Sequence, residues 1–158
     1  MSDAIQVSGA WAERYRAFRD LRRELARDRA MYRQLVLANP GRVDAQTIAV
    51  VLHNQVRFAP DARDVFRGAF DTQEFEGGAM LFHALRPHLR VGDSERALVE
   101  AIERASNTAA LAEACAYLFI EGNSRTVEVE EPDELLAEDR GADDLADAFD
   151  KPPAGYGG

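Results

Sequence analysis

From Ser8 to about Ala38, Trp11, Tyr15, Phe18, Leu21, Leu25, Tyr32 and Leu35 recur at intervals of three, four or seven, which lines one face of an α-helix. Ser8 can cap this helix and Asn39-Pro40-Gly41 stops it, so one long first helix is expected. Asp44 can cap a second helix through about Arg57, with Ile48, Val51, Leu52 and Val56 facing inward. Pro60 opens a short third, whose stripe is Val65, Phe66 and Phe70. Asp71 and Glu74 have capping-box spacing ahead of a fourth segment, thinned at Gly77-Gly78, that runs to Arg86 and is ended by Pro87. Asp93 or Ser94 opens a fifth helix to about Ala105. Asn107 opens the last, which contains TAALAEACAYLFI and ends at Gly122. That helix is apolar almost all round and rich in alanine, so it is expected at the centre of the core, against the first, second and fifth.

After Gly122 the period changes. TVEVEE alternates every second residue and reads as a short edge strand or an extended exit. The fold expected is all-α: a compact bundle of about five to six helices over residues 1–124, with a long N-terminal helix, followed by an acidic, partly extended C-terminal arm over 125–158. A length of 158 residues with 46% hydrophobic side chains suits one domain plus a tail.

Charge sharpens the picture of the arm. Glu128 to Asp150 carries eleven carboxylates and one arginine, while Met1 to Val127 holds seventeen basic and seventeen acidic residues. A salt-adapted surface would spread its acid evenly, so this segregation points to a dedicated arm. Leu135, Leu136, Leu145 and Phe149 are spaced among its carboxylates as apolar anchors, which a solubility tail does not need. The first helix has the opposite character. Its eight arginines, Arg14, Arg16, Arg19, Arg22, Arg23, Arg27, Arg29 and Arg33, outnumber Glu13, Asp20, Glu24 and Asp28. Because carboxylates interrupt the arginines, an intersubunit or solvated face is favoured there and direct nucleic-acid binding is not. The residues expected to contact a partner are Trp11, Tyr15, Arg19, Arg22, Arg23, Leu135, Leu136, Leu145 and Phe149.

Candidate chemistry is sparse. His53, His83 and His88 fall on different elements or across Pro87, and none makes the i, i+4 pair of a zinc helix. Cys115, the single cysteine, sits on the most apolar helix, where a thiol packs rather than reacts, and it can form no intramolecular disulfide. Glu76-Gly77-Gly78 lacks the lysine and hydroxyl of a phosphate loop and suits close packing or a kink. No catalytic residue, metal or cofactor is therefore expected. An enzyme using His83 and Glu76 ranks lowest among the alternatives. The N-terminus lacks a secretory pattern, and the apolar stretch Ala109 to Ile120 is too short to span a bilayer, so an intracellular chain without membrane contact is expected.

Tyr32-Arg33, Asn39-Pro40-Gly41-Arg42, the apolar helix that follows, Phe66, Phe70-Asp71 and Glu76-Gly77 with Met80, Leu81, Phe82 and Leu85 carry a resemblance. Over about Tyr32 to Leu89 the chain resembles a small family of tailed-phage proteins encoded in the virion-morphogenesis region, near portal and capsid genes. The resemblance implies a helical, non-enzymatic bacteriophage structural or assembly protein that docks on portal, capsid or tail components and self-associates. It would act in the host cytoplasm during assembly and could be carried into the virion. The alternative expectation is an acidic DNA mimic or regulatory inhibitor that occupies the nucleic-acid groove of a host protein.

Overall fold

A computed structural model of the chain describes residues 4–72 and 78–131. Leu135, Leu136, Leu145, Phe149, Glu74 of the expected capping box and the Glu76-Gly77 pair lie outside the described residues, while Asp71, the other half of that box, falls within the helix Ala62–Thr72. The chain divides into two units, Met1–Glu128 and Val129–Gly158. The described residues are mostly helical: α1 Gly9–Leu25, α2 Arg29–Ala38, α3 Ala45–Leu52, α4 Ala62–Thr72, α5 Gly78–Leu85, α6 Asp93–Arg104 and α7 Thr108–Gly122. Four three-residue strands join them: β1 Ile5–Val7, β2 Val56–Phe58, β3 Leu89–Val91 and β4 Val127–Val129.

The expected long first helix is two helices, and Asp28 is the reason. Its carboxylate accepts from the Met31 amide at 3.2 Å, which caps α2, while its own amide returns to the Leu25 carbonyl at 3.2 Å and closes α1. A shared apolar period conceals such a break, because the same stripe resumes after the turn. Asp28→Ala should cost about 0.5–2 kcal/mol, the usual worth of an N-cap, read as a lowered thermal midpoint. Ser8 sits in extended backbone ahead of α1, but its side chain makes no capping bond. Asp44 does cap α3, accepting from the Thr47 amide at 2.8 Å. That helix stops five residues before the expected Arg57, because Asn54 takes a left-handed φ of 76° that turns the chain into β2.

β2 and β3 pair antiparallel, with Val56 opposite Val91, Arg57 opposite Arg90 and Phe58 opposite Leu89. β1 pairs with β4, where the Ile5 amide donates to the Thr126 carbonyl at 2.7 Å and the Gln6 side chain to Glu128 at 2.6 Å. All four strands read apolar–polar–apolar, but the alternation is most extended around β4, in TVEVE.

α7 forms the centre of the core, as its composition predicts. Every residue from Leu111 to Ile120 except Glu113 is buried, and the helix packs most closely on α3 and α5, with α6 alongside. Ala112, Ala114 and Ala116 carry little bulk, which permits the close approach. Two aromatic clusters flank it. Tyr117 meets Trp11 (5.7 Å between ring centroids) and stacks on Phe18 (5.5 Å), both from α1. Phe119 stacks on Phe66 of α4 at 4.0 Å and meets Phe58 of β2 edge-on at 5.9 Å. Positions two apart on a helix project about 200° from each other, so one helix serves two clusters.

Candidate interaction surface

Of the side chains expected to meet a partner, Trp11 and Tyr15 belong to the core instead. Both are buried on α1, where the i, i+3, i+4 stripe turns them inward along with Phe18. The sequence could not tell an aromatic stripe that packs inward from one that awaits a partner. Arginines cover these rings from outside: Arg14 lies 5.3 Å from the Trp11 ring centroid, Arg19 5.8 Å from that of Tyr15 and Arg22 6.0 Å from that of Phe18.

The seam between α1 and α7 is closed by polar pairs. Tyr15 donates its hydroxyl to Glu121 at 3.0 Å, and Glu121 also pairs with Arg22. One turn earlier, Tyr117 donates to Glu113, which faces Arg14 at 3.7 Å, and Gln46 donates to the Tyr117 hydroxyl at 3.4 Å. Burial, then the neighbouring carboxylate, raises the pKa of both tyrosines above the usual phenol range, so they stay protonated donors. Arg22 is thus committed within the fold, whereas Arg23 is exposed, next to Glu24 and Arg27 in a shallow depression.

The groups with chemical potential are held in quiet settings. Burial pushes the Cys115 thiol up to about 12, so it is not a thiolate at neutral pH. Burial, helped by Arg22, lowers the pKa of His53 and favours its neutral form. His83 is exposed on α5, and His88 Nδ1 lies 2.8 Å from the exposed Asp61 carboxylate. Among the described residues, no three or more His, Cys, Asp or Glu side chains gather where they could hold a metal ion. No described helix is long and apolar enough to cross a membrane.

Unspent apolar surface lies on α2, a region the sequence had joined to α1. Met31 is 50% exposed and Leu35, one turn on, is 47% exposed, so the two form a ridge along the helix. Arg27 and Arg29 stand exposed just before it. Beyond Leu35 the ridge opens into a groove of about 390 Å³ lined by Leu35, Asn39, Arg42, Val43, Asp44 and Thr47. The arrangement is an apolar strip with a basic approach and a polar far rim. The sequence read Leu35 as one of the apolar residues of a single first helix; in the structure it stands exposed on α2. Comparison with protein-family models, with curated proteins and with solved structures finds no match for this chain.

Proposed function

We propose that this protein is a non-enzymatic docking component, a bacteriophage structural or assembly protein that binds a capsid, portal or tail protein. One observation carries the docking reading: the Met31–Leu35 ridge leaves two large apolar side chains in water on a helix whose other face is anchored in the fold. Exposed apolar surface of this kind costs solubility and is explained most simply by a partner that covers it. The phage setting rests on the resemblance over residues 32–89. The acidic arm adds long-range attraction toward a basic partner surface, an on-rate effect that salt screens.

The test is pairwise binding of the purified chain to candidate phage capsid, portal and tail proteins. Met31→Ser with Leu35→Ser should weaken the complex roughly tenfold or more, since each buried side chain contributes on the order of 1.5–3 kcal/mol when fully covered. Because both sites are exposed, the melting midpoint should hardly move. A double variant that binds as tightly as the parent contradicts the reading. Removal of the arm is best made after Glu131, because a cut at Val127 would take most of β4 away from β1. One-to-one binding to a nuclease or polymerase, with no affinity for virion proteins, would instead favour the DNA-mimic alternative.

A further inference from the structure

The β2–β3 ribbon breaks a local rule. Arg57 and Arg90 are direct cross-strand partners, both exposed, and like charges opposite each other destabilise a sheet. Among the described residues no carboxylate pairs with either. Each guanidinium is instead drawn back onto main-chain carbonyls: Arg57 donates to Asn54 and Val56 at 3.0 and 3.1 Å, Arg90 to Pro87 and Leu89 at 3.0 and 3.2 Å. The outer edge of β3 is also open. Gly92 donates to the Gln55 carbonyl and Ala59 to that of His88, which makes 92 with 55 and 88 with 59 hydrogen-bonded pairs. The antiparallel alternation then turns the main-chain groups of Val91 away from β2.

A cleft of about 230 Å³ runs along that edge, lined by Arg86, Leu89, Arg90, Val91, Arg96 and Val99. Three arginines and three aliphatic residues line it, and no carboxylate does. Arg86 reaches Glu103 only at 3.7 Å, and Arg96 holds Asp93 at 3.0 Å in a pair so exposed that it contributes little. We infer that this cleft is a receptor for an extended acidic segment of a partner protein, in which aliphatic residues alternate with Asp or Glu. The segment lies along β3 and meets the outward main chain of Val91. Its carboxylates pair with Arg86, Arg90 and Arg96, and its aliphatic side chains pack on the part-exposed Val91 and the arginine stems. A nucleic acid fits less well, because it has no extended peptide backbone to pair with the outward main chain of Val91. This extends the docking reading to a second face, and it stands or falls without the α2 ridge.

The probe is a fluorescein-labelled octapeptide alternating Val and Glu, titrated into the full chain, with an octapeptide alternating Val and Lys as control. The parent should bind the acidic peptide and not the basic one. Arg90→Gln with Arg96→Gln should weaken binding about tenfold or more, a loss equal to about 1.4 kcal/mol. Arg96→Glu alone, at an exposed position, should weaken it in the same direction, while Met31→Ser with Leu35→Ser leaves it unchanged. Equal binding by the arginine variants, or by the Lys peptide, overturns the proposal. So does complete displacement of the peptide by millimolar inorganic phosphate, which would mark a simple anion site. If the arginines serve only to keep the open edge from pairing with other chains, the variants will aggregate with no change in peptide affinity, and the proposal fails in that case too.

Discussion

Arg33→Met should destabilise the protein toward the lower end of the roughly 3–5 kcal/mol that follows when a buried ion pair loses one partner. Glu95, at the start of α6, is 4% exposed, and its Oε1 accepts from Arg33 Nε at 2.9 Å. Its other carboxylate oxygen, Oε2, is buried without a hydrogen-bond partner among the described residues. Arg33 also donates to the Ser94 carbonyl at 2.6 Å, so one guanidinium joins α2 to the first turn of α6. Removing it leaves a largely buried carboxylate without its cation. The lower end is expected because the Arg33 side chain is itself 34% exposed, which lets solvent reach the vacated site. At about 2–4 °C for each kcal/mol in a chain of this size, the melting midpoint should fall by several degrees. Combining Arg33→Met with Glu95→Leu should recover most of the loss, since the penalty lies in the unpaired charge rather than in the missing bond. A single variant that melts with the parent would mean that Glu95 is not buried as described.

Leu111→Ala should cost about 2–5 kcal/mol, because the side chain is fully buried on α7 and its loss leaves a cavity whose lining cannot collapse completely. Leu118→Ala, on the same helix and slightly less buried, falls in the same range and toward its lower end. Chemical denaturation of each variant measures the loss directly, as a lower midpoint with an unchanged slope. Midpoints equal to that of the parent at both positions would remove α7 from the centre of the core.

These expectations show what could be read without coordinates. α7 was legible because TAALAEACAYLFI is apolar on every side, and a helix of that kind has nowhere to go but the centre. The Asp44 cap was legible because the carboxylate stands one residue ahead of an apolar run. The turn at Asp28 was not, since Leu25 and Tyr32 keep the helical interval of seven across it. The contact surface suffered from that: Trp11, Tyr15 and Leu35 were read as one apolar series, whereas α1 buries the first two and α2 leaves the third exposed. β1, β2 and β3 escaped notice because three residues are too few to display a period, and the Arg57–Arg90 pair exists only once β2 and β3 are in register. The buried state of Glu95 has no signature in its neighbours Ser94 and Arg96, because Arg33, the cation that accounts for it, lies sixty-two residues earlier in the chain.

The α2 ridge is proposed as a contact surface. Amide hydrogen exchange of the full chain, alone and mixed in turn with candidate capsid, portal and tail proteins, is the sharpest check on it. Where one of them binds, slowed exchange across Arg29–Ala38 is expected, because Met31 and Leu35 become covered. Unchanged exchange over that helix, with protection arising only elsewhere in the chain, would contradict it.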